Sequence, residues 1–256
     1  MPKRRAARHA RAAVLPLLAA AAGAVDALAF IALGHVFAGV MTGNLILLAI
    51  GLGSGSPGDA AYPLVALTGF ALSVVAAGRF CRTHGSARTD VTSAGEGPGG
   101  HWGRGVLVCL MAEVALLAAV GVAWADAGGH PDGAGRAALI AVLSVAMGLQ
   151  TAAMFAAGPS GAPTTYFTGT LSALLTNPSG GRPAGSRLAA LLAGAVGAAA
   201  LRTWAPAWAA LPPPVCAAGA LACALSAGPH EPEPSAQSEP KPPTPKPSRP
   251  SGPEEP

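Results

Sequence analysis

Two carboxylates sit where carboxylates are costly. Asp26 interrupts an apolar run over 12–33, and Glu113 interrupts another over 105–126. On insertion scales an acidic side chain at the centre of a membrane helix costs roughly 2.5–3.5 kcal/mol, so each demands an account. One account is functional: a proton- or cation-carrying group facing a polar cavity. The other is structural: a carboxyl group bonded to a neighbouring Ser, Thr or Gln that fixes helix packing. For Asp26 both readings stand open. For Glu113 the structural reading is preferred, because the second half of the chain shows no counterpart to it.

Two short polar motifs belong to the same question. Thr42-Gly43-Asn44 and Thr168-Gly169-Thr170 each lie in a short apolar run. A half-helix starting near either glycine aims unbonded N–H groups into the membrane interior, and two such ends facing each other attract an anion or a polar solute. Against this stands a tight helix crossing, with glycine for close approach and Asn and Thr bonded to nearby backbone. Gln150 shares whichever role holds. The expected solute or ion path is therefore Asp26, Thr42, Gly43, Asn44, Gln150, Thr168, Gly169 and Thr170, with Glu113 as a second intramembrane carboxylate.

Other chemistry finds no support. Lysine occurs only at Lys3, Lys241 and Lys246, outside every apolar run, which leaves no phosphate loop and no internal Schiff-base lysine. There is no HExxH, no GxSxG and no Ser–Lys pair. Cys81, Cys109, Cys216 and Cys223 form no CxxC pair and are expected to be reduced; the spacing of Cys81, His84 and His101 fits no standard zinc pattern. No catalytic residue, cofactor or metal is expected.

The elements that position these residues follow from composition. The chain has 256 residues, 51% hydrophobic and only 11% charged, with a net charge of +4. An ordinary soluble domain carries about 25% charged residues. This excludes a soluble enzyme, a disordered regulator and a nucleic-acid-binding domain, and leaves an all-α polytopic membrane protein. Apolar runs fall at 12–33, 36–53, 60–78, 105–126, 137–157, 164–176, 187–203 and 208–227. The run at 164–176 is about 20 Å long as a helix, too short for a hydrocarbon core of about 30 Å. The run at 36–53 is broken by Gly39, Gly43 and Asn44.

Basic residues decide between six crossings and eight. If both short runs dip in and return, all basic residues except Arg136 and Arg202 fall on one side, which is then the cytoplasm and holds both termini. If all eight runs cross, Arg79, Arg82, Arg88 and Arg104 move outside and the rule breaks. Six membrane helices plus two re-entrant or broken helices are expected. Trp102 and Trp124 bracket the run at 105–126, and Trp204, Trp208 and Tyr62 fall at outer boundaries, as aromatic belts do. The basic start of the chain followed by leucines is like a secretory signal, but the apolar pattern continues past Asp26 and is read as a retained first helix. Three regions result: a basic N-terminus over 1–11, a transmembrane domain over 12–227, and a disordered Pro-rich tail over 228–256.

Within the membrane domain the halves, about 12–126 and 137–227, are alike. Gly23 to Phe30 followed by Met41-Thr42-Gly43-Asn44 matches Gly148 to Phe155 followed by Phe167-Thr168-Gly169-Thr170. Each half has three crossings, an odd number, so the second copy is inverted, as in many secondary transporters.

These same residues carry a resemblance. Gly23, Asp26, Phe30 and Met41-Thr42-Gly43-Asn44, with Gly148-Leu149-Gln150 and Thr164-Thr165-Tyr166-Phe167-Thr168-Gly169-Thr170-Leu171, resemble the YoaK family, a bacterial domain of unknown function numbered 1275. The resemblance covers about 14–227. One departure is Thr151, where an Asn after the Gln is the family pattern. The resemblance implies a bacterial inner-membrane protein of about six helices and implies no activity. The expected partner is the lipid bilayer, with no nucleic acid; the four-residue spacing of Ala190, Gly194 and Ala198 suits close helix contact and hence a homo-oligomer. The functional expectation is a small secondary transporter or channel for a small polar or ionic solute. The alternative is a non-catalytic scaffold whose intramembrane polar groups serve packing.

Overall fold

The computed structural model describes residues 2–84, 102–157 and 182–226, with 171, 175 and 176. These residues form helices: α1 (Pro2–Ala32), α2 (Met41–Gly53), α3 (Pro57–His84), α4 (Arg104–Asp126), α5 (Gly133–Ala156), α6 (Arg182–Trp204) and α7 (Pro212–Ser226). A single 3₁₀ turn, Pro206–Trp208, joins the last two. No strand occurs among the described residues. Six helical segments are long and apolar enough to cross a membrane, the last of them running from Pro206 through α7, and α2 is not among them. The first of the two short runs is therefore a short helix of about 20 Å, as its 13 residues require. The second, 164–176, and with it Thr168, Gly169 and Thr170, lies almost wholly outside the described residues, as does the tail over 228–256. The basic start of the chain is not a separate arm: α1 runs back through it to Pro2.

Contacts at the helix ends fix how the crossings alternate. Gly34, just past α1, lies against the ring of Tyr62 near the start of α3. Gly105 at the start of α4 abuts the backbone of Cys81 near the end of α3. Gly129, just past α4, packs on Pro206, and the Trp124 indole donates to the Pro206 carbonyl at 2.8 Å. The ends of α1, α4 and α6 and the starts of α3, α5 and α7 thus share one end of the bundle. The start of α1 and the end of α7 meet at the other. The described membrane-length helices thus alternate in direction, with the start of α1 and the end of α7 at the same end of the bundle.

α1 and α5 are the central helices. Their small side chains are buried over most of their surface, as expected of a helix packed on all sides. The closest approaches are made at glycines. A Cβ on Gly23 would fall on the Leu191 carbonyl of α6, and one on Gly194 of α6 would fall on the Ala20 carbonyl of α1. The second pair of helices repeats the arrangement: Gly148 of α5 lies on Ser73 and Phe70 of α3, and Gly69 of α3 lies on Ala141 and Ser144 of α5. The same chain spacing separates Gly23 from Gly148 and Gly69 from Gly194. Small residues here let backbones approach closely, the usual basis of membrane helix packing. The small-residue face of α6 that suits an oligomer is occupied within the chain, with Gly194 on α1 and Ala198 buried.

α4 carries a buried stripe of Val106, Cys109, Leu110, Glu113, Leu117, Val120 and Trp124, the three-to-four spacing of a helix face. Trp124 therefore corrects the interfacial reading. It is fully buried, its ring in the core and its N–H on Pro206, whereas Trp204 and Trp208 are exposed. Apolar packing divides into two clusters, one at each end of the bundle, the first containing Leu117 and Trp124 and the second Cys109 and Leu110. Along the stripe Glu113 falls between them.

Candidate solute site

The segment joining α1 to α2 decides what Asp26 does. After Ala32 the chain reverses through Gly34 (φ 113°) and His35 (φ 57°), both left-handed. A left-handed non-glycine residue is uncommon and calls for surrounding support. Here it comes from a ring cluster: Phe30 meets His35 edge-on at 5.5 Å and stacks on Phe37 at 5.2 Å. The chain then returns along α1 to the level of Asp26, six residues or about 9 Å before the helix end. Asp26 is thus in the half of the bundle nearer that end, rather than at mid-depth.

Asp26 Oδ1 accepts the N–H groups of Ala38 and Gly39, both at 2.8 Å, and the Val40 N–H also points to the carboxylate. Asn44, fully buried, grips the same segment from α2: the Phe37 N–H donates to its Oδ1 at 2.9 Å, and its Nδ2 donates to the Phe37 carbonyl at 2.6 Å. Gly43 lies against the Phe37 ring, where a Cβ would be 2.9 Å from Cδ2. Gly39 packs between Asp26 and Met147 of α5. The motif residues Asp26, Gly43 and Asn44 therefore converge on three consecutive residues, 37–39, and hold them as a latch.

The start of α2 is consequently not an open anion site. The N–H of Met41 donates to Gly39, and those of Gly43 and Asn44 donate to Val40. With Phe37 on Asn44 and Ala38 and Gly39 on Asp26, these donors are spent internally. No side chain caps α2 itself; the Asp26 carboxylate takes the N–H groups of the segment just before it, close to the helix's positive end, where an anion is favoured.

Beside the latch lies a cavity of about 1060 Å³, bounded by α1, the start of α2, α3, α5 and α6. Asp26 is on its wall, with Thr42 and Thr151. Thr151 Oγ1 donates to the Met147 carbonyl at 2.8 Å, leaving its lone pairs. Most other lining residues are apolar, including Phe30, Phe37, Phe70 and Phe155. Phe30, Ile31, Val40, Phe155 and Val196 line the cavity and are also exposed, so its rim is apolar.

The remaining expected site residues are placed elsewhere. Gln150 is buried, and its Nε2 donates to the Leu18 carbonyl of α1 at 3.2 Å; it is not among the described lining residues. By the glycine register of the two halves, Asp26 corresponds to Thr151 and not to Gln150. Glu113 is fully buried, and neither carboxyl oxygen has a hydrogen-bond partner among the described residues. Cys81 faces Cys109, their sulfurs 3.6 Å apart, while His84 stacks on Phe80; His101 lies outside the described residues. All four cysteines are free thiols. The sequence reading missed Phe37, Gly39 and Thr151. The aromatic spacing of Phe30 and Phe37 around Gly34-His35 was the available signal for the first two.

Comparison with known proteins agrees with a membrane protein of the family that the sequence resembles. A family model described as a protein of unknown function, DUF1275, matches residues 14–224. The UPF0700 transmembrane protein YoaK of Bacillus subtilis (strain 168) is 32% identical over 173 residues, 66% of this chain and 68% of that protein. No solved structure matches the chain.

Proposed function

The chain belongs to the DUF1275 family of multi-pass membrane proteins, and on that premise we propose that it moves a small solute across the bacterial inner membrane as a secondary transporter or channel, without catalytic chemistry. The observation that carries this reading is the cavity with Asp26 on its wall. A carboxylate inside a membrane helix is retained at a cost, and one facing a cavity is a functional group by default. Asp26 serves as the proton or ion carrier. Only Oδ1 takes the Ala38 and Gly39 N–H groups, which ties the state of the carboxyl to the loop and α2. The repeated glycine contacts of α1 on α6 and α5 on α3 support an inverted repeat, the design on which alternating access is built. The cytoplasmic side is the one holding the start of α1, because its Lys and Arg gather there.

The test is reconstitution into vesicles loaded with a pH-sensitive dye, with panels of small solutes added outside. A solute that the wild-type protein carries with protons collapses the pH gradient. Asp26→Asn keeps an oxygen for the loop N–H groups and removes the titrating group, so it is expected to stay folded and lose the signal. Solute movement unchanged in that variant removes the carrier role. No solute-dependent flux in any panel removes the transport reading. The second reading, a scaffold, is favoured by one observation: Asn44 and one oxygen of Asp26 are fully occupied holding 37–39.

A further inference from the structure

We infer that the cavity takes a lipophilic organic cation, an amine or onium ion whose apolar body covers the walls while its charge sits at Asp26. This rests on the transport reading and narrows it.

Charge comes first. Among the described lining residues Asp26 is the one ionisable side chain; there is no Lys, Arg or His. An anion entering this space meets a carboxylate with no compensating cation among the described lining residues. It also meets few free amides, because the N–H groups of residues 37, 38 and 39 are bonded to Asn44 and Asp26 and those of 41, 43 and 44 to the carbonyls of Gly39 and Val40. The sign of the site is therefore opposite to that of an open helix N-terminus.

Size and polarity come second. A small metal cation takes about six oxygen ligands. The described wall offers the Asp26 carboxylate, whose Oδ1 already accepts two N–H groups, and the Thr42 and Thr151 hydroxyls. That is too few for a hard cation, and most of the volume is walled by hydrocarbon and rings. Burying apolar surface there favours a ligand by about 25 cal/mol per Å². Phe30 and Phe37 flank the latch, and aromatic faces attract organic cations. The apolar rim of Phe30, Ile31, Val40, Phe155 and Val196 suits entry of a solute already dissolved in lipid.

Tetraphenylphosphonium and tetraphenylborate have nearly one shape and opposite charge, so they separate charge from size. Binding of radiolabelled tetraphenylphosphonium to the purified full chain in detergent is measured by equilibrium dialysis, for wild type and for Asp26→Asn, each confirmed monodisperse by size-exclusion chromatography. Saturable binding to wild type is expected, weakened about tenfold or more in Asp26→Asn, as loss of a desolvated charge pair implies. Unlabelled tetraphenylborate is expected not to compete. Equal binding by the two proteins overturns the inference, as does competition by the borate. So does the absence of saturable binding to folded wild type, which is what a cavity filled by the chain's own residues gives. Any of these leaves the vesicle assay free to find another solute, so the transport reading survives them. Tetraphenylphosphonium binding through Asp26, together with no solute-dependent flux in any vesicle panel, gives the converse: the cation site stands and the transport reading fails.

Discussion

Asp26 and Glu113 are both carboxylates inside membrane helices, and the molecule treats them in opposite ways. Asp26 is half-buried on a cavity wall, and one of its oxygens holds two backbone N–H groups. Glu113 is sealed into the face of α4 that packs on the rest of the bundle, with neither oxygen bonded. The first is a structural acceptor with an outlet to a cavity. The second breaks the rule that buried polar groups are paired, and no partner among the described residues offsets it. Insertion cost alone does not tell a functional carboxylate from a tolerated one; the partners and the space beside it do.

The contrast can be broken from either side. The largest effect is expected for Asp26→Ala. It strands the Ala38 and Gly39 N–H groups and is expected to lower stability by about 3 kcal/mol or more, since each stranded buried donor costs about 1–3 kcal/mol. Thermal unfolding in detergent reads this; a melting curve like wild type would mean that the latch does not need its carboxylate. Asn44→Ala comes next, with an expected loss of about 2 kcal/mol, because both the N–H and the carbonyl of Phe37 lose their partner. Limited proteolysis of the 33–40 segment is the sharper measure, and faster cleavage is expected. Glu113→Leu has the opposite sign. Replacing an unpaired buried acid by a side chain of similar size is expected to raise stability by about 1–2 kcal/mol. Destabilisation there would reveal a partner for Glu113 outside the described residues. Smallest is Gly53→Ala at the end of α2, where a Cβ meets nothing within 4 Å. A change under about 1 kcal/mol is expected, of the size helix propensity gives.

The sequence and the structure part company at definite places. The six membrane-length helices and the short α2 were legible because length and apolar content are one-dimensional properties. The two intramembrane carboxylates were legible for the same reason. Their environments were not. Which amides Asp26 accepts depends on a reversal through left-handed Gly34 and His35, and a lone histidine carries no sign of that conformation. Gln150 was expected on the solute path, but it is Thr151, one residue and about 100° further round the helix, that lines the cavity. In alanine-rich helices the apolar pattern is too flat to fix that rotation, and only the glycine contacts of Gly23 and Gly148 do so. Trp124 was read as interfacial by its position at a helix end; its burial follows from Pro206, which lies far along the chain.

The latch has a consequence for synthesis. The hydrogen bonds from the Asp26 and Asn44 side chains to residues 37–39 join residues 7 to 13 apart. Such short-range contacts close early, because little chain entropy stands against them. The α1–α2 unit can therefore shield its polar backbone as soon as Asn44 has left the ribosome, before the whole of α3 has emerged to cover it. The helices that complete the cavity arrive around a loop already folded, which makes the first fifth of the chain the template on which the rest of the bundle is laid.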